Sequence, residues 1–170
     1  AKQIDKAVFP GLQGGPHEHI IAAIAVALEE ALKPAFKEYA QQTIKNAKIM
    51  AEEFLRLGYR VISGGTDNHL LVIDITNQGL TGKEAEILFD KIGISVSRST
   101  IPNDPKPPYN PSGVRLGTPA ITTRGMKEGQ VKQIVVWFNE AIENRNDDDK
   151  LNELRKKVKR LCLKFPIPGI

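Results

Sequence analysis

From residue 17 to about residue 57 apolar side chains return every three to four positions, the spacing that gathers them on one face of an α-helix. Pro34 interrupts this run near its middle. Its missing N–H and its ring predict a kink there, or two helices meeting at a bend. Gly58 ends the pattern, and the period then changes. Residues 59–63 and 69–75 read as strands, and the polar turn Gly64-Gly65-Thr66-Asp67-Asn68 between them predicts an antiparallel hairpin. Thr81 followed by Glu84 is a capping-box pattern, which predicts a helix over about 82–91 that ends near Gly93. A short strand over 94–97 is expected next. Prolines crowd residues 101–111 and predict an extended loop before a strand over 113–117. Helices over about 127–144 and 151–163 close the chain, divided by the acidic Asn146-Asp147-Asp148-Asp149.

Upstream of the long helical pattern, residues 1–6 are helix-compatible, lack an initiator Met and run uncapped into Val8-Phe9-Pro10-Gly11, so a preceding segment is expected. Residues 11–15 read as a flexible loop, with Pro16 suited to the first turn of the following helix. Strands and helices alternate without internal repeats. The expected architecture is α/β: a small, mainly antiparallel sheet covered by helices, preceded by a long kinked helix.

With 170 residues the chain can bury one ordinary core. The 41% apolar and 26% charged content is that of a globular protein and excludes a disordered one. The net charge of +4 is modest, and much of the basic excess lies over residues 150–164. There Leu151, Leu154, Val158, Leu161 and Cys162 recur at helical spacing, and no base-stacking aromatics stand between the lysines. That pattern reads as a solvated helix face, and no nucleic-acid partner is expected. Cys162 is the single cysteine, so no internal disulfide can form and a reducing compartment is expected. The longest apolar run, Ile20 to Leu28, is far short of the ~20 residues that span a bilayer. With no signal-peptide pattern either, a cytoplasmic protein without membrane contact is expected.

Two places could carry chemistry. Gly14-Gly15-Pro16 precedes a helix, where free N–H groups and the helix dipole attract a phosphate, although such a Gly-Gly turn also serves as simple punctuation. In Gly113-Val114-Arg115-Leu116-Gly117, strand alternation puts Val114 and Leu116 on one face and Arg115 on the other, with a glycine on either side along its own face. Those glycines are expected to leave room for a ligand, and a guanidinium so placed can grip a carboxylate with two parallel hydrogen bonds. A structural ion pair on an edge strand is the other reading. His17-Glu18-His19 lacks the i, i+4 spacing of a helical zinc site, so no metal is expected, and His69 reads as structural. No nucleophile elbow, carboxylate cluster or Walker loop is present.

Several blocks resemble the serine hydroxymethyltransferase family, in order and in approximate spacing. They are the run from Ala7 through Val8-Phe9-Pro10-Gly11-Leu12-Gln13-Gly14-Gly15-Pro16 to His19, with Ile21-Ala22-Ala23 after it; Ser63-Gly64-Gly65-Thr66-Asp67-Asn68-His69; Leu80-Thr81-Gly82-Lys83-Glu84-Ala85; Pro102-Asn103-Asp104-Pro105; and Ser112 to Ala120. The resemblance implies a fold-type I pyridoxal phosphate (PLP) transferase. Residues 1–57 would be the end of the large PLP domain with its connecting helix, and residues 58–170 the C-terminal α/β small domain.

By the same resemblance, the activity is the interconversion of serine and glycine with tetrahydrofolate or a modified folate as one-carbon carrier. The partners are the N-terminal remainder of the enzyme, a second subunit in a homodimer, and small-molecule substrates. Arg115 matches the arginine that binds the substrate carboxylate. Gly14 and Gly15 match the backbone that reaches the PLP phosphate of the neighbouring subunit, and Phe9 matches an aromatic near the folate pocket. Ser97-Arg98-Ser99 stands where the family has Asn-Lys-Asn, so Ser99 replaces a folate-contacting amide and implies weaker pterin binding. The family's cofactor lysine lies upstream of the Val8-Phe9-Pro10 block, so no catalytic residue is expected in this chain, which alone would be inactive. The alternative is a non-catalytic interaction or dimerisation module.

Overall fold

A computed structural model describes residues 1–169, which divide into two compact units, Ala1–Glu38 and Tyr39 onward. In the first unit a short helix α1 (Lys2–Lys6) runs into a wide turn over Ala7–Leu12 that Phe9 and Pro10 interrupt with non-helical backbone. Helix α2 (Glu18–Ala31) follows, with His17 at its N-cap position, so Pro16 stands just outside the helix and not in its first turn. No residue of 1–38 is buried. The large apolar side chains of α2, Ile20, Ile21, Ile24, Val26 and Leu28, are all exposed.

Helix α3 (Pro34–Arg56) begins at the proline expected to bend the run, and the chain turns at Leu32 and Lys33. Proline is favourable at a first helical position because its absent N–H has no partner to lose there. From Thr43 onward α3 buries a face, formed by Thr43, Asn46, Ala47, Met50, Ala51 and Phe54.

In the second unit a four-stranded sheet has the order β1-β2-β4-β3, with β1 Arg60–Val61, β2 Leu70–Asp74, β3 Ser97–Ser99 and β4 Gly113–Gly117. Every neighbouring pair is antiparallel. The expected hairpin of β1 and β2 is present, but β1 is two residues long because Ser63 (φ 62°) and Gly64 (φ 71°) turn left-handed and end it. β3 lies later than the apolar pattern suggested. Ile94 and Val96 pack against the core, while pairing with β4 begins only at Ser97.

Helices α4 (Gly82–Ile92), α5 (Pro119–Thr123), α6 (Glu128–Glu143) and α7 (Asp148–Lys164) complete this unit. Thr81 and Glu84 cap α4 reciprocally, and Asp147 caps α7 by accepting from the N–H of Lys150. The single turn α5 is too short to show a period in the sequence. Leu71 and Ile73 of β2 and Val114 and Leu116 of β4 point into one core with residues of α3, α4, α6 and α7. Phe89 and Phe138 stack at 3.6 Å between ring centres, and Phe54 meets Phe138 edge-on at 4.9 Å. Among the described residues no helix is long and apolar enough to cross a membrane.

Candidate functional site

The sheet presents Arg115 on the face opposite this core. β4 alternates, with Val114 and Leu116 buried and Arg115 exposed between them. Arg115 stands across from Val72 on β2 and Ser97 on β3. Its guanidinium has no hydrogen bond or ion pair among the described residues, which removes the reading of a structural ion pair. The nearby cations Arg60 and Arg98 do have carboxylate partners, Asp74 and Glu86. Arg115 lines an open cleft of about 410 Å³ with His69, Ser95, Ser97 and Gly117. An unpaired guanidinium in an open cleft can hold a carboxylate and orient it.

The two flanking glycines differ in the room they leave beside Arg115. A Cβ on Gly113 would lie 2.7 Å from Ile101 Cγ2 and 2.8 Å from the Ser99 carbonyl oxygen, so this glycine permits close packing of β4 and leaves no ligand space. Gly117 is looser, its nearest neighbours being the His69 carbonyl at 3.5 Å and Pro119 Cδ at 3.6 Å.

Ser99 pairs with Gly113 two positions along the ladder, which puts it on the same face of the sheet as Ser97 and Arg115. It is half-buried, and its hydroxyl donates weakly to the Thr100 carbonyl at 3.4 Å. The adjoining proline-rich loop is held by Asp104. Its carboxylate accepts from the N–H groups of Ile101, Lys106 and Ser112 and from the Ser112 hydroxyl. Burial opposes the charge, but the bonds from Ser112, Lys106 and Ile101 prevail and hold the carboxyl down at about 2.

Phe9, Gly14 and Gly15 belong to the first unit. Phe9 is 64% exposed, and nothing lies within 4 Å of a Cβ built on either glycine, so the backbone there is open to an approaching group. His17 and His19 meet edge-on with ring centres 5.9 Å apart. Among the described residues no group of three or more His, Cys, Asp or Glu side chains could hold a metal.

Sequence reasoning missed Ser95 and Ser97 as cleft residues, and it assigned His69 only a structural part. His69 has one, since its carbonyl accepts from the N–H and hydroxyl of Thr118, and it also lines the Arg115 cleft. Strand parity was the available signal: Ser97 lies on the face of its cross-strand partner Arg115.

The fold and this face together define an α/β domain with a small antiparallel sheet, of the kind found in the small domain of serine hydroxymethyltransferase-type folds. A family model described as Serine hydroxymethyltransferase matches residues 1–138, and the chain belongs to that family. The family membership supports a serine hydroxymethyltransferase-type function, within serine, glycine and one-carbon metabolism.

Proposed function

We propose that this chain is the C-terminal part of a PLP-dependent serine hydroxymethyltransferase, in which Arg115 binds the α-carboxylate of serine and glycine. The observation that carries this reading is the unpartnered guanidinium of Arg115 in its cleft, in a chain of this family. Two parallel charge-assisted hydrogen bonds fix the carboxylate plane as well as its position. A fixed carboxylate determines which bond at the α-carbon faces the cofactor. PLP, when bound, supplies the electron sink for breaking that bond.

The open space at Gly14 and Gly15, where a built Cβ would meet nothing within 4 Å, leaves room for a phosphate oxygen to approach the backbone. We assign these residues to the PLP phosphate of the neighbouring subunit of a homodimer, and Phe9 and Ser99 to the folate. Ser99 offers a donor and an acceptor where a longer amide would reach further, so a tetrahydrofolate or modified folate would be held more weakly. The lysine that carries PLP is assigned to the N-terminal remainder, which makes the isolated chain inactive.

Turnover of serine and tetrahydrofolate in the presence of PLP tests this reading. The 170-residue chain alone should show none, and joining it to the N-terminal remainder should restore the reaction. Turnover by the isolated chain would overturn the assignment. One observation favours a second reading, a non-catalytic association module: the exposed apolar side chains of α2. That reading expects the isolated chain to self-associate and the joined polypeptide to remain inactive.

A further inference from the structure

Behind β4, helices α6 and α7 leave an apolar cavity of about 250 Å³ walled by Met50, Ile134, Trp137, Val158, Leu161 and Cys162. On the outer side of the same two helices runs a groove of about 490 Å³. Trp137 and Leu161 line both spaces, so these two side chains form the wall that groove and cavity share. Across the groove, Gln130 and Gln133 of α6 stand opposite Lys157, Arg160 and Lys164 of α7, the latter spaced to share one helix face.

The charge in this groove is uncompensated. Lys157 is paired with Glu140, but Arg160 and Lys164 have no hydrogen bond or ion pair among the described residues and face only neutral amides. On another face of α7, by contrast, Arg155, Lys156 and Lys159 share their surface with Asp149 and Glu153. A merely solvated cationic face has no reason to border an apolar void. The cavity lies between the ~150 Å³ void that holds benzene and the ~300–1,000 Å³ of drug-sized pockets, so it suits a body of roughly six to ten heavy atoms.

We propose that the α6–α7 groove and the cavity behind it form a binding site for a small amphiphilic anion, with its apolar body against Trp137 and Leu161 and its anionic head at Arg160 and Lys164. The site is separate from the Arg115 cleft. Its inner wall includes Leu116 and Gly117, which also line the Arg115 cleft, so occupancy would be felt on β4.

The chain carries its own reporters, because Trp137 is its single tryptophan and Cys162 its single cysteine. Octanoate is the probe, octanol its neutral counterpart, and the 170-residue chain the protein. Octanoate should change Trp137 fluorescence saturably, with a Kd of about 0.1–1 mM, and slow alkylation of Cys162. The surface double variant Arg160→Gln, Lys164→Gln should weaken octanoate about tenfold or more through lost charge-assisted bonds and leave octanol unchanged. Absence of a saturable octanoate response would overturn the proposal. So would equal binding of octanol and octanoate with no effect of the double variant.

Discussion

Ser112 gives Asp104 two hydrogen bonds, from its N–H at 2.9 Å and from its hydroxyl at 2.7 Å, and this pair closes the proline-rich loop directly before β4. The Ile101 N–H, at 3.2 Å, brings the other end of the loop to the same carboxylate. Ile101 in turn packs on Gly113, so the clamp sets the edge along which β3 meets β4.

Replacing Asp104 with Asn removes the charge from these bonds and should destabilise the chain by about 1–2 kcal/mol at pH 7. The folded carboxyl is depressed to about 2, below its ordinary value near 4. Its contribution is therefore fully present above pH ~4 and is lost as pH falls toward 2. Denaturant unfolding of both proteins should show a gap at pH 7 that narrows steadily below pH 4. A gap that stays constant to pH 2.5 would count against the clamp.

Gly113 and Gly117 should respond differently to alanine. At Gly113 the added methyl meets Ile101 and the Ser99 carbonyl, a clash costing about 1–3 kcal/mol and loosening β3. At Gly117 the neighbours lie at ordinary contact distance, and the cost should stay below about 1 kcal/mol. Thermal melts of the two variants compare them directly, and equal losses would sink the close-packing account of Gly113.

Asn46 is fully buried on α3, where its amide donates to Thr122 Oγ1 at 2.9 Å and the Met126 carbonyl at 3.0 Å and its oxygen accepts from Gln42. Asn46→Ala strands the Met126 carbonyl and should cost about 2–3 kcal/mol. Asn46→Asp should be worse at neutral pH and recover on acidification, because a buried carboxylate lacks the donor that both partners need. Unfolding midpoints at pH 7 and pH 4 check both statements.

Much of this arrangement was legible in the sequence because local chemistry decides it. Pro34 divides the long helical pattern, Thr81 and Glu84 cap α4, and alternation about Arg115 separates core from open face. Other features depend on contacts that no local pattern encodes. Ile94 and Val96 look like strand residues but are apolar because they pack inward, and the ladder waits for Ser97. Asn46 reads as a polar helix residue until α5 supplies Thr122 as its partner. Gly113 and Gly117 are indistinguishable in sequence, and the approach of Ile101 and the Ser99 carbonyl tells them apart. The cleft was half legible: Arg115 declared itself by parity, while Ser95, Ser97 and His69 depended on the register between strands.

The most direct test of the central claim is the serine dependence of the PLP-loaded enzyme containing this chain, measured with Arg115, Arg115→Lys and Arg115→Ala. Loss of two charge-assisted hydrogen bonds to the carboxylate should cost about 3–6 kcal/mol, so kcat/KM for serine should fall by roughly two to four orders of magnitude in Arg115→Ala. Arg115→Lys should fall between the two, with folding and PLP content unchanged in both variants. Ordinary serine kinetics in Arg115→Ala would contradict the assignment of this residue to the substrate carboxylate.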